Sequence, residues 1–355
     1  MKNINKRVIY EIFTPSFCKN FKDLADKVPY FVELRVTSVW LTPFYPSNTE
    51  HGYNIQNYKS VNPRYGTLED FDKFVEVMHD NNLEVILDMV FCHTDYHHLA
   101  FQKSIKELND MYFWSDEQID NRYRICNENG KYYYAPWDHT MPALNLKSIK
   151  VRNMIEDTVK FWLDRGVDGF RLDAVIHGKN GDEKDNYEFW QWFADMCRSY
   201  KEDIYLLAEA WDDYDIIHKY GEILGHAFNF TQGGYIKHHI NTNESLVTVN
   251  DPNHDVVFLD NHDQSRIPHT FNGDVNKIKH AMDVLFSFDS DVCLYYMDEI
   301  CTRDVDTYVY PGGKDDYKVR RPMNWTKVEY QRKDENSLFN HVKKLIKEFN
   351  EKHNK

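Results

Sequence analysis

Residues 169–175 read GFRLDAV, a short apolar run that carries an arginine and, two positions later, an aspartate. Side chains alternate across a strand, so Arg171 and Asp173 share one face of it. An unpaired carboxylate in such a run would be costly, so these charges must face each other or a polar cavity. Seven further runs of the same kind flank it: RVIYEIF (7–13), SVWLTPF (38–44), EVILDMVF (84–91), YLLAEAW (205–211), HAFNFT (226–231), VVFLDN (256–261) and VCLYYM (292–297).

Amphipathic helical stretches alternate with these runs. After Thr67, with Asp70 in capping position, Phe71, Phe74, Val75 and Met78 recur at helical spacing. Residues 148–165 form another such stretch, and Leu338, Val342, Leu345, Ile346 and Phe349 give the last its apolar stripe. Eight strands alternating with helices predict an α/β protein, a (β/α)8 TIM barrel, which takes about 250 residues and tolerates insertions.

One interval breaks the rhythm. The third and fourth runs are separated by far more than the roughly 30 residues of one βα unit. The excess, residues 93–146, reads as a subdomain inserted between strand 3 and helix 3, leaving residues 1–92 and 147–355 for the barrel. The insert carries KYYYAPW (131–137), which would form one wall of a cleft at the strand ends.

The formal net charge of −14 argues against nucleic acid or an anionic membrane surface as a partner, and the longest apolar runs fall short of a membrane span. A neutral substrate fits better. With no GxGxxG, P-loop, HxH or HExxH, and with His97 and His98 in the insert, neither a nucleotide cofactor nor a catalytic metal is expected. The six cysteines show no CxxC pair and read as free, mostly buried thiols; with no leader-like apolar segment at the start, the expected location is the cytoplasm.

Catalytic groups of a (β/α)8 barrel sit at the C-terminal ends of its strands. Asp88 and His93 close the third run, Arg171 and Asp173 lie in the fourth, Glu209 ends the fifth, and Asn261, His262 and Asp263 end the seventh. Asp173 and Glu209 are about one unit apart and Glu209 and Asp263 about two, so equivalent strand ends converge. A retaining glycosidase needs one ionised carboxylate and one protonated carboxylic acid roughly 5 Å apart. Arg171 would keep Asp173 ionised, and burial beside Ala208, Ala210 and Trp211 would raise the pKa of Glu209. The competing reading is an ion-pair network that only holds the barrel together.

As a set, DMVFCH (88–93), GFRLDAVIH (169–177), LLAEAW (206–211) and FLDNHD (258–263) resemble the four signature regions of the α-amylase family, glycoside hydrolase family thirteen. The likeness extends to HGYNIQNYKSVNPRYGTLEDF (51–71), MPALN (141–145) and RRPMNW (320–325), and so covers essentially the whole chain. The resemblance implies Asp173 as nucleophile, Glu209 as acid/base and Asp263 as the third catalytic carboxylate. It also implies that Tyr53 stacks under the bound glucose, that His93, Arg171 and His262 surround it, and that His177 reaches toward the leaving-group side. The implied activity is retaining hydrolysis of α-1,4-glucans or maltooligosaccharides. Its alternatives are α-glucosidase or oligo-1,6-glucosidase action and glucanotransfer; a noncatalytic glucan-binding barrel ranks behind them because all three carboxylates are kept.

Departures accompany the likeness. Cys92 stands where the family commonly has a calcium-ligating asparagine, and sulfur is a poor ligand for a hard cation, so no cofactor is expected and a structural calcium is disfavoured. Met297, which closes the eighth run, and Cys301 beyond it stand where the family usually has glycines. No sequence for the family's C-terminal β-sandwich follows the last helix. The barrel face left bare would then favour self-association, unless the sequence simply stops at a domain boundary.

Overall fold

The computed structural model describes residues 4–178, 183–304 and 318–354. Strands β1 (Val8–Ile12), β2 (Ser38–Leu41), β3 (Glu84–Met89), β7 (Gly169–Leu172), β8 (Tyr205–Ala208), β9 (His226–Phe228), β10 (Asp255–Phe258) and β11 (Asp291–Tyr295) close a parallel barrel in the order β1-β11-β10-β9-β8-β7-β3-β2. Strands covered on both faces can be apolar throughout, and almost every residue of these eight is buried.

Each predicted run coincides with a barrel strand, β10 and β11 starting one residue earlier, and all eight strands stop short of the run's end. In β2, β7, β8 and β9 the ladder ends immediately before a polar residue, Thr42, Asp173, Glu209 and Asn229, whereas Asp88 and Arg171 lie within it. Asp173 still donates its N–H to the Met89 carbonyl (3.0 Å) and Glu209 donates its own to that of Leu172 (3.0 Å). Ala174 then turns into the left-handed region at φ 48°. Asp173, Glu209 and Asp263 therefore all stand just beyond strands, on the loops at the C-terminal mouth.

Helices cover the barrel as their stripes require. Thr67 and Asp70 form a reciprocal capping box at the start of the helix Leu68–Asp80, which buries Phe71, Phe74, Val75 and Met78. Ser337 caps the helix Leu338–His353, whose buried face is Leu338, Phe339, Val342, Ile346 and Phe349, with Leu345 at its edge.

Within residues 93–146 three short antiparallel strands, β4 (Trp114–Ser115), β5 (Tyr123–Ile125) and β6 (Tyr132–Tyr134), pair in the order β4-β6-β5. Phe101, on the helix Leu99–Glu107, stacks on Trp114 and meets Tyr112 and Tyr133 edge-on, giving this segment its own aromatic centre. Single bridges from His93 to Ala143 and from Tyr112 to Leu144 close it on itself, and the Leu144 N–H donates to the Cys92 carbonyl (3.0 Å), beside the end of β3. All six cysteines are free, and five are buried.

Close strand approach constrains one glycine. A Cβ at Gly169 would lie 2.6 Å from the carbonyl oxygen and 2.8 Å from the Cβ of Tyr205 on the adjacent β8. Gly169→Ala must force β7 away from β8, and we expect it to lower stability by about 1–3 kcal/mol in chemical denaturation. An unchanged midpoint would contradict this account of the barrel's packing.

Candidate active site

Arg171 is the structural centre of the barrel mouth. Its buried guanidinium donates from Nη1 to Asp88 Oδ1 (2.7 Å) and Asp173 Oδ1 (2.8 Å), while Nη2 pairs with Glu209 Oε2 (2.7 Å). The sequence suggests Arg171 as a partner for Asp173; the barrel gives it three partners. Asp88 on β3 is its register neighbour, and Glu209 follows the strand on its other side. The turn at Ala174 aims its N–H at Glu209 Oε2 (3.0 Å), which gives this left-handed residue a use for its strain.

Burial competes with this one cation for the protonation of its partners. Burial raises Asp88 to about 7 against the pull of Arg171. It also raises Asp173, with Arg171 opposing, so the arginine moderates rather than dominates that carboxyl group. Burial raises Glu209 too, reinforced by the negative charges of Asp173 and Asp263 and opposed by Arg171. The expected direction for Glu209 holds, but Trp211 is not its cause: that indole is 56% exposed and stacks on Phe230 at 4.8 Å.

A second charged chain runs beside the first. Buried His262 donates from Nδ1 to Glu11 Oε1 (2.6 Å) and from Nε2 to the Tyr53 hydroxyl (2.6 Å), which in turn donates to Asp88 Oδ2 (3.0 Å). Its Nε2 is also 3.2 Å from Asp263 Oδ2. Two donated bonds require both ring nitrogens to be protonated. Although burial opposes the charge, Asp263 and Glu11 push His262 up to about 10. Asp263 is held well below the usual carboxylate range, against its own burial, by His262 and by Arg320, whose Nη2 reaches its Oδ1 at 2.5 Å. Arg320 also donates from Nε to the His262 carbonyl (2.9 Å).

Tyr53, His93, Asp173, Glu209 and Asp263 line a cavity of about 390 Å³, together with His51, Trp137, Met141, Ala174 and Arg320. Arg171 and His262 lie directly behind its lining. The Tyr53 ring lies parallel to His262, 9° between planes. His93 donates from Nε2 to the Tyr53 carbonyl (3.0 Å), and burial pushes it down to about 4, so it is neutral. His177 lies apart: it is exposed, edge-on to Trp137, and outside the cavity lining. A larger cavity of about 580 Å³ near Lys27, Arg64 and Trp325 has Asp23 as its one carboxylate, and so lacks an acid/base pair.

Glu11 and Arg320 escape the sequence reading. Glu11 could be suspected as the lone charge of an apolar strand; Arg320 lies in RRPMNW, which has no strand pattern. The Cys92 thiol is buried within 3.3 Å of the Ala174 carbonyl, and burial pushes its pKa up, so this position offers a neutral thiol in place of a hard oxygen ligand. A calcium at this position does not fit.

Three comparisons bear on this geometry. A family model described as the α-amylase catalytic domain matches residues 16–354. Alpha-amylase 3 of Dictyoglomus thermophilum is 33% identical over 96% of this chain and 76% of its own length. The 4-alpha-glucanotransferase of Thermotoga neapolitana is 29% identical over 94% of this chain and 85% of its own. The crystal structure of an alpha-amylase from H. orenii superposes with a TM-score of 0.85 at 28% identity, covering 98% of this chain and 82% of the other.

The charged state of His262 is open to direct measurement. An imidazole NMR titration is expected to find it protonated through pH 8, and Glu11→Gln to bring its midpoint down by about one unit or more. Because its folded pKa is raised, the stability it contributes is full below about 6.5 and is lost as pH rises through about 10. A wild-type midpoint near 6.5 would refute the doubly protonated assignment.

Proposed function

Because this chain belongs to the α-amylase family, we propose that it is a retaining glycoside hydrolase cleaving α-1,4-glucosidic bonds of starch-like glucans or maltooligosaccharides. The observation that carries the reading is that Asp173 and Glu209 hang from two nitrogens of one guanidinium, with Asp263 facing the same cavity. This arrangement supports the close carboxyl pair, about 5 Å apart, that retention uses.

Arg171 occupies Asp173 Oδ1, which leaves Oδ2 to attack the anomeric carbon. As that bond forms, the glycosidic C–O bond breaks and Glu209 gives its proton to the departing oxygen. Water then surrenders a proton to the Glu209 carboxylate and attacks the same carbon, releasing Asp173. Asp263, kept ionised by His262 and Arg320, stabilises the positive charge that develops on the sugar ring in both steps. Tyr53 supports the sugar from its fixed position on His262, and Trp137 adds an aromatic wall from the insert. His177, at the rim, is left for the leaving-group side.

Transfer to a sugar hydroxyl in place of water is the second reading. The exposed face of Trp211, two residues from Glu209, favours it, because an acceptor sugar can stack there. Six free cysteines support a reducing compartment such as the cytoplasm. We expect activity to survive a calcium chelator.

Glu209→Gln is expected to lower kcat by about 10²–10⁴-fold, and Asp173→Asn at least as much, in a reducing-sugar assay on maltoheptaose. Mass spectrometry after reaction with a fluorinated glucosyl fluoride should find the sugar on the peptide holding Asp173. Undiminished hydrolysis by Asp173→Asn would end the proposal. Among the products, short mixed oligosaccharides would indicate hydrolysis, and chains longer than the substrate would indicate transfer.

A further inference from the structure

Away from the cleft, His218, Asp251 and His254 bring together donor atoms that all lie within 4.8 Å of one another. His218 projects from the helix Tyr214–Leu224, whereas Asp251 and His254 belong to the turn that leads into β10. That turn precedes its strand, so the cluster lies at the barrel end opposite the catalytic carboxylates.

The three side chains are presented by rigid backbone. The Asp251 carbonyl accepts from the N–H groups of His254 (3.2 Å) and Asp255 (2.9 Å), and the Asp251 N–H donates to Asp255 Oδ2 (2.8 Å). The His254 carbonyl accepts from Ala227 N–H on β9 (2.8 Å). Gly221, one turn after His218, lets this loop come close: a Cβ there would stand 3.1 Å from the Cβ of His254.

The donors are of the right kind and are already converging. Asp251 Oδ2 lies 2.8 Å from His254 Nδ1 and 3.8 Å from His218 Nδ1. His218 Nδ1 is buried and makes no hydrogen bond within the protein. On the far side of the same ring, Nε2 faces Glu222 Oε1 at 3.8 Å. An imidazole with one nitrogen turned inward and the other toward a carboxylate is how metal-binding histidines are oriented and made more basic. Ligands around a tetrahedral ion at 2.0–2.1 Å stand about 3.4 Å apart, a spacing that the 2.8 and 3.8 Å separations bracket.

We propose that His218, Asp251 and His254 form a site for a divalent transition metal, with Zn²⁺ as the fitting ion and water completing its coordination. Two imidazoles and one carboxylate suit zinc and disfavour calcium and magnesium, which take oxygen ligands. The ion would clamp the helix after β8 to the turn before β10, and so would strengthen the barrel without touching its chemistry.

The test is calorimetric titration of chelator-stripped full-length protein with Zn²⁺, run beside His218→Ala, His254→Ala and Glu222→Gln, each checked for unchanged maltoheptaose hydrolysis as proof of folding. Saturable binding of one ion per chain is expected, weakened more than about tenfold by either histidine substitution and about tenfold by Glu222→Gln. At a hundredfold excess over the dissociation constant, zinc should raise the wild-type unfolding midpoint by about 3 °C and leave that of His218→Ala unmoved. Absence of saturable binding to the wild type, or equal affinity in wild type and both histidine variants, would overturn the site.

Discussion

A single buried guanidinium in contact with three carboxylates is the constraint around which the barrel mouth is organised. Burying Arg171 without partners would cost several kcal/mol, and burying Asp88, Asp173 and Glu209 without it would cost more. Neither side can therefore be removed alone. Adding the neighbouring chain gives five carboxylates, Glu11, Asp88, Asp173, Glu209 and Asp263, connected to three cations, Arg171, His262 and Arg320. Such a cluster cannot hold five negative charges in a low-dielectric setting, so protons must remain on some of its acids. The geometry sorts them. Asp263 is held by two cations and stays ionised, while burial raises Glu11, Asp88, Asp173 and Glu209.

Sharing one arginine between the proposed nucleophile and the proposed acid suits a reaction in which charge passes between them. In the mechanism proposed above, the charge is on Asp173 and the proton on Glu209 before glycosylation. In the glycosyl intermediate Asp173 is an ester and Glu209 is the carboxylate. Arg171 touches both, so between these two it faces one negative charge at either stage without moving its guanidinium. Positive charge already in place needs no reorganisation at the moment of reaction, which is where enzymes gain most over water.

The barrel was legible in the sequence because buried parallel strands leave a simple trace: eight apolar runs, each bounded by loops. Where the strands end was less legible. GFRLDAV runs past Leu172 through Asp173 to the apolar Ala174 and Val175, yet the ladder ends at Leu172 because Ala174 turns left-handed, and residue composition does not encode that turn. The charged residues at run ends could be picked out individually, but their partners depend on which strands are neighbours. Thus Arg171 acquired Asp88 and Glu209, and His262 acquired Glu11 from a strand some 250 residues away. Arg320 was invisible for a further reason: it reaches Asp263 from an irregular segment with no periodicity to place it. His177, adjacent in sequence to the fourth run, was expected among the sugar contacts and stands exposed at the rim.

The two ends of the barrel solve the problem of buried charge differently. At the strand starts, Arg7 grips Glu84 with Nε and Nη2 at 2.7 and 2.9 Å, Ser38 donates to the same carboxylate, and Asp291 accepts from Arg7 N–H and the Tyr205 hydroxyl. That network is closed by hydrogen bonds and joins β1, β2, β3, β8 and β11, so it can act purely as a fastening. At the strand ends Glu11 Oε2, His93 Nδ1 and Arg171 Nε are buried without a partner, beside carboxylates that burial pushes toward their protonated forms. Unsatisfied polar groups cost stability wherever they occur. Unpartnered polar atoms also occur at the other end, at His226 Nδ1, Asp255 Oδ1 and His218 Nδ1, so the difference is that the mouth sets its unpaired atoms beside the carboxylates that line the cavity. β7 joins the two arrangements over a few residues: Gly169 packs its start against β8, Arg171 lies near its end, and Asp173 follows it into the charged mouth.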